Sequence, residues 1–396
     1  MSWQRLAISS PPYALGHLHD VYRYPERVEQ CASRTPGWLY GWKERGEPAE
    51  LMNAHQLCSA MHGTHTLHLG DSLSAQLYES WRARLRHERY ASGGESGQRH
   101  CRGLCEGSAP KLCSGLCSGG NHDDYNLFQA QYSVCDNGAT MLMADVFRWV
   151  LSPSAFRSAD RRVASCVRRV HMAPWHFGLV TVPRAHVDEL LADAAMARAA
   201  PRHGTRHPVR RLIVLYNQMM HIHVLISKLC ECYRGEGLTS EHADSLAARD
   251  ALRFWAHDQA QWAIALSEAR RNLTAATGVA VELYYRTTGA ASCDYFCEAP
   301  NGAPRTPVHP AAVAAAVMRT GTTTALFSHQ YVYWANDVCR AAFTAQGFEV
   351  LDHEGMLSVR PDAHPASFNG TGDKLHFCQP GPADWALDAA VRRIAR

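Results

Sequence analysis

The chain has 396 residues, 46% of them hydrophobic and 19% charged, with a formal net charge of +3 at neutral pH. So small a charge for this length argues against a general nucleic-acid binder, and the composition can bury a sizeable core. No apolar run reaches the roughly 18 residues a spanning helix needs, and the N-terminal MSWQRLAISSPPYALGHLHD lacks the apolar centre of a signal peptide.

Residues 1–60 hold Pro11, Pro12, Pro25 and Pro36 with Cys31 and Cys58 and little periodicity. They precede a single domain expected to span 61–396. Thr66-Leu67-His68-Leu69 then reads as a strand that runs into Gly70, after which Asp71-Ser72 opens a helix marked by Leu73, Leu77, Ser80 and Trp81. A serine at that junction stands where free N–H groups and the helix dipole favour developing negative charge. It suits a nucleophile, and it suits a plain N-cap equally well.

Tyr90 to His122 is a Gly/Ser/Cys-rich insertion in which Cys101, Cys105, Cys113 and Cys117 sit in a short near-repeat. Their spacing lacks the tight CxxC knuckle of most zinc ribbons, so a local disulfide cluster or a loose loop is preferred over a metal site. Order returns from Tyr125, with strands expected at 139–146, 177–182 and 211–217 and a helix at 186–200, followed by a basic loop at 201–208. The longest helix is expected from Thr239 to about Ala276, capped by Thr239 or Ser240, with Leu246, Leu252, Trp255, Trp262, Leu266 and Leu273 as its apolar stripe and room for a break. A strand at 279–286, a helix at 310–319, a strand at 323–327, a helix at 331–346, a strand at 348–351 and a closing helix at 383–396 complete the pattern. Such alternation implies an α/β fold: three α/β/α layers around a mostly parallel sheet, with sites at the carboxyl ends of strands, where Ser72 and Asn217 fall.

Fourteen cysteines without a Cys/His metal pattern point to an oxidising, secretory compartment, and Asn272-Leu273-Thr274 and Asn369-Gly370-Thr371 are glycosylation sequons. An N-terminal anchor not included in this sequence would reconcile that compartment with the missing signal. The 23 histidines are scattered, and no metal site is assigned. Near the other end, Asp373 and His376 are spaced so that the carboxylate can hold the imidazole Nδ1–H, giving Ser72, Asp373 and His376 as a candidate triad. A solvated pair is the alternative.

Five ordered stretches carry a resemblance. GDSLSAQLYESW, from Gly70 to Trp81, resembles the GDS block of the plant trichome-birefringence-like proteins, members of the PC-esterase group in the SGNH/GDSL hydrolase superfamily. The stretch from Asp373 to Ala389 is similar to their DxxH block. Leu212 to Asn217 resembles the strand ending in Asn, Leu283 to Thr288 the strand ending in Phe-Arg-Thr, and Arg360-Pro361-Asp362-Ala363-His364-Pro365 the Arg-x-Asp-Ala-His-Pro segment. Two departures stand out: Lys374 replaces a cysteine of the Asp-Cys-Ser-His-Trp-Cys pattern, and Asn217-Gln218-Met219-Met220-His221 replaces Asn-Thr-Gly-His-Trp-Trp.

The resemblance implies an SGNH-like fold and an O-acetyltransferase that passes acetyl to a polysaccharide or oligosaccharide acceptor through an acyl-serine. It also implies that residues 1–60 wrap the core of the catalytic domain and are tied down by a disulfide. Retained chemistry with altered acceptor preference is expected. His376 would take the proton of Ser72 while Asp373 holds the ring, and the Ser72 backbone N–H with the Asn217 amide would receive the oxyanion. Arg286, Arg360 and His364 are candidate substrate contacts, with structural ion pairs an equal reading for the arginines and a supporting role for the Asp362–His364 pair. No bound cofactor is implied; the acetyl donor, acetyl-CoA among the candidates, is a co-substrate. The Golgi lumen is the implied location, with membrane contact only through the anchor. A carbohydrate acetyl-esterase and an inactive glycan-binding relative are the alternatives.

Overall fold

The computed structural model describes residues 2–6, 40–43, 50–87, 130–135, 140–145, 164–166, 184–196, 210–217, 222–289, 327–360, 363 and 377–396. A two-stranded antiparallel sheet of β1 (Ser2–Arg5) and β2 (Tyr40–Lys43) precedes helix α1 (Ala54–Ala60), β3 (Thr64–Gly70) and α2 (Ser72–His87). Next come β4 (Ala130–Val134), β5 (Thr140–Asp145), α3 (Arg184–Met196), β6 (Arg211–Asn217), α4 (Ile222–Gly235), α5 (Ser240–Thr277) and β7 (Ala280–Arg286). The chain closes with α6 (Phe327–Thr344), β8 (Glu349–Leu351), the single turn α7 (Glu354–Leu357) and α8 (Pro382–Ile394).

One six-stranded sheet, in the order β4-β5-β3-β6-β7-β8, organises these elements into an α/β fold. Strands β5, β3, β6, β7 and β8 are mutually parallel, and β4 is antiparallel to β5 at the edge. Strand β3 is buried along its whole length, as a strand between two neighbours and two helical layers must be.

Side chains alternate across the sheet. Leu67, Leu69, Leu212, Val214, Tyr216, Val281, Leu283 and Tyr285 join a core with α3, α4, α5 and α6, whereas Ile213, Leu215, Tyr284 and Leu351 join a second core with α1, α2 and α8. Helices therefore cover both faces. Tyr216 and Tyr285 each stack on Phe343 with ring centroids 4.9 Å apart, which fastens α6 to the sheet. The two-stranded sheet packs on the second face: the Trp3 indole N–H donates to Met356 O at 2.9 Å, and the ring meets Trp42 and Trp385 edge-on.

The 38 residues of α5 run without a break, from an extended Thr239 at the N-cap to Gly278, whose φ of +72° is open to glycine. Disulfides Cys58–Cys135 and Cys166–Cys232 fit an oxidising, secreted or luminal setting. Among the described residues no helix is long and apolar enough to cross a membrane. The edge strand β4 and helix α4 go beyond the sequence-based expectation, and Phe327 opens α6 instead of ending a strand. The expected strand at 177–182, the cysteine insertion at 90–122 and the helix at 310–319 lie outside the described residues.

Candidate active site at the carboxyl ends of the strands

Counted in chain order, the parallel strands lie 2-1-3-4-5 across the sheet. From β3 the chain continues to β5 on one side, and from β6 it continues to β7 on the other, so the winding reverses between the carboxyl ends of β3 and β6. Crevices of open α/β sheets form at such reversals. Gly70 and Asn217 are register partners at this point. A Cβ on Gly70 would lie 1.8 Å from the Asn217 carbonyl oxygen and 2.5 Å from Ser74 Oγ, so only glycine fits.

Helix α2 begins here. The Asp71 N–H donates to Asn217 O at 3.2 Å, while Asp71 accepts from Leu73 N–H through Oδ1 at 3.0 Å and from Ser74 N–H through its carbonyl at 2.9 Å. Asp71 is thus the helix cap, and Ser72 is the first helical residue, at the positive end of a 16-residue helix. Its backbone is placed where the nucleophile is expected.

Beneath this turn lies a buried polar cluster. Arg286 Nη2 donates to Ser74 Oγ at 3.3 Å, and Asn217 Nδ2 donates at 2.6 Å to both Arg286 O and Thr288 Oγ1. Both amide hydrogens of Asn217 are therefore directed at the end of β7, and its side chain offers no free N–H to an oxyanion in this arrangement. Burial pulls the Arg286 guanidinium down to about 10, against the opposing charge of Asp71, and it stays protonated at neutral pH. Burial, with a contribution from that same cation, pushes His68 and His353 down to about 3, so both are neutral. His68 Nε2, His353 Nδ1, Arg286 Nη1 and Asn217 Oδ1 are buried and make no hydrogen bond among the described residues.

The residues after Arg286 are fixed as tightly. Thr287 Oγ1 accepts the N–H groups of His353 and Glu354 at 2.8 and 2.9 Å, capping α7. Asn336 on α6 brackets Thr288, accepting its N–H at 3.0 Å and donating to its carbonyl at 2.8 Å. Arg360, a candidate substrate contact, is fully buried, with its guanidinium 4.5 Å from the Trp3 ring centroid and 5.0 Å from that of Tyr40. These cation–π contacts add to the Trp3 contacts that hold β1 and β2 on the domain.

A row of polar residues along α2 holds the C-terminal block. Gln76 receives Phe377 N–H on Oε1 at 3.2 Å and donates through Nε2 to Phe377 O at 2.8 Å. One turn on, Gln379 Nε2 donates to Gln76 O at 2.8 Å and to Ser80 Oγ at 2.7 Å. A further turn on, Arg84 pairs with Asp388 and reaches Asp384 Oδ1 at 3.2 Å. Gln76, Ser80 and Arg84 are all buried and stand four positions apart, the spacing that lines side chains along one helix face. As the row advances from 76 to 84, its partners advance from 377 to 388. Ser72 is the preceding member of the row.

Asp373, His376, Asp362 and His364 lie outside the described residues, so of the expected triad only the backbone of Ser72 is placed. Cys378 is disulfide-bonded although Lys374 takes the place of a cysteine in the pattern it resembles. Sequence reading missed Gln76 and Arg84, for which polar residues recurring every fourth position on the helix were the available signal, and it missed the buried His68 and His353, which carry no such pattern. No known protein-family model matches the chain, and no curated protein matches it in sequence.

Proposed function

We propose that the protein is a serine-dependent O-acetyltransferase of SGNH-like, three-layer architecture, acting on a polysaccharide or oligosaccharide hydroxyl. The observation that carries this reading is the row on α2. Its partners Phe377, Gln379, Asp384 and Asp388 follow the same direction as Gln76, Ser80 and Arg84, so extending the row back to Ser72 leads to the residues just before Phe377, of which His376 is the nearest. The reversal of the sheet winding at Gly70 and Asn217 supports it independently.

In this mechanism Ser72 Oγ attacks the acyl carbon of the donor as His376 takes the hydroxyl proton, and Asp373 stabilises the imidazolium. The tetrahedral oxyanion is received by the Ser72 N–H at the positive end of α2. Collapse releases the donor's alcohol or thiol, which takes the proton from His376, and leaves acetyl-Ser72. The acceptor hydroxyl then gives its proton to His376 and attacks the acyl carbon, and as the Ser72 Oγ–acyl bond breaks His376 hands that proton to Ser72 Oγ, restoring the free serine and the neutral base. Asn217 acts by holding Arg286 and Thr288, and the buried Arg286 cation adds positive potential below the helix start. The disulfides support a luminal, Golgi-type setting.

Incubation with an acetylated donor, acetyl-CoA among those tried, and a panel of oligosaccharides, followed by mass spectrometry, tests the reading. Acetylated sugar formed by the wild type and absent from Ser72→Ala supports it. Free acetate without acetylated sugar identifies an esterase, and equal turnover by Ser72→Ala removes the acyl-serine altogether.

A further inference from the structure

We infer that Gln76 is a positioning residue for the general base, a role that rests on the Ser72–His376 pair proposed above. Its carboxamide bonds both main-chain groups of one residue, accepting Phe377 N–H at 3.2 Å and donating to Phe377 O at 2.8 Å, and the Gln76 main-chain carbonyl accepts from Gln379 at 2.8 Å. The side chain is 1% exposed. A clamp of this kind fixes the backbone of Phe377 in height and in rotation relative to the helix. Packing alone would fix the segment less sharply, because apolar contact is not directional.

Two features make this more than a structural bond. Gln76 stands one helical turn after Ser72, so the clamp refers the C-terminal block to the same rigid helix that carries the nucleophile. Phe377 directly follows His376, so any tilt of its backbone is passed on through a single peptide link. Displacement of a reacting group by about 1 Å is enough to cost roughly 10²-fold in rate. The other anchors of the block, Ser80 with Gln379 and Arg84 with Asp384 and Asp388, hold residues farther along the chain from His376 than Phe377 is.

The test uses the full chain, 4-nitrophenyl acetate turnover and the rate of fluorophosphonate labelling, with Ser72→Ala and His376→Ala alongside. Gln76→Ala is expected to lower kcat about 10²-fold with KM within about twofold. Gln76→Glu keeps the length and one acceptor but turns a second lone pair toward Phe377 O. Its rate relative to wild type is therefore expected to be low at about pH 8 and to rise toward about pH 5, as protonation restores a donor. A Gln76→Glu to wild-type rate ratio that stays flat near unity across that range overturns the role of Gln76 while Ser72→Ala and His376→Ala remain inactive. Wild-type rates in those two variants overturn the catalytic reading itself, which is a separate result.

Discussion

Gly70 lies so close to Asn217 that the two strands touch backbone to backbone, with 1.8 Å between the position of a glycine Cβ and the Asn217 carbonyl oxygen. The neighbour is backbone at the carboxyl end of a strand paired on both sides, so it cannot swing aside as a side-chain end would. Gly70→Ala is expected to destabilise the protein by at least about 3 kcal/mol, the upper range for overpacked cores, and to shift the start of α2. Urea unfolding gives the stability, and a midpoint within error of wild type would contradict the close approach.

Arg84 is the second place where a single side chain carries much of the assembly. Its Nη1 also donates to Met52 O at 3.0 Å and Nη2 to Asp384 O at 2.9 Å, while Asp388 Oδ2 accepts from Met52 N–H at 2.6 Å. Removing the cation strands two buried carboxylates. Arg84→Met should cost about 3–5 kcal/mol near neutral pH, the range for breaking a buried pair from one side. Burial already pushes the Asp388 carboxyl upward despite Arg84, so in the variant the deficit should shrink as the pH is lowered and that group takes a proton. A deficit that is the same at pH 7 and at about pH 5 would show that the carboxylate is not the source of the cost.

How far the sequence announced this arrangement depends on the range of each signal. The turn at Gly70-Asp71-Ser72 was legible because glycine, cap and helix period are local, and α5 was legible because its apolar stripe repeats over many turns. Helix α4 was not: Leu225, Ile226, Leu229 and Tyr233 do form a buried stripe, yet the β-branched Ile222, Val224 and Ile226 near its start read as easily as strand. The role of Arg286 was ambiguous between substrate contact and structural group, since its partners Ser74 and Asn217 come from distant parts of the chain. Pairings across some three hundred positions, such as Gln76 with Phe377, leave no periodic trace at all.

The Cys58–Cys135 disulfide closes 77 residues between α1 and the end of β4. Loop-closure entropy alone assigns such a crosslink about 4–5 kcal/mol, with measured values often lower. The double variant Cys58→Ala, Cys135→Ala is therefore expected to unfold at a lower denaturant concentration than wild type, and reducing agent should lower the wild type toward it. Because the bond joins helix α1 to the outer edge of the sheet and not to α2, 4-nitrophenyl acetate turnover below the unfolding transition should be retained. Loss of turnover while the fold is intact would place this edge in contact with the site.

His68 and His353 should make the fold sensitive to acid. Each is fully buried and held down to about 3 by burial and, second, by the Arg286 charge, whereas an unfolded histidine titrates near 6.5. Below about pH 6.5 the unfolded chain therefore binds two protons that the folded chain refuses, and stability falls as the pH falls, down to about 3 where the folded form titrates too. At pH 5 the loss is about 2 kcal/mol for each ring, a large part of the roughly 5–15 kcal/mol of a typical domain. The double variant His68→Gln, His353→Gln removes both titrations. Its unfolding free energy should consequently change between pH 7 and pH 5 by about 4 kcal/mol less than that of the wild type, whatever the substitutions cost at pH 7. Urea melts of both proteins at the two pH values supply the comparison, and parallel pH dependences would mean that these imidazoles find protons, and so water, inside the folded protein.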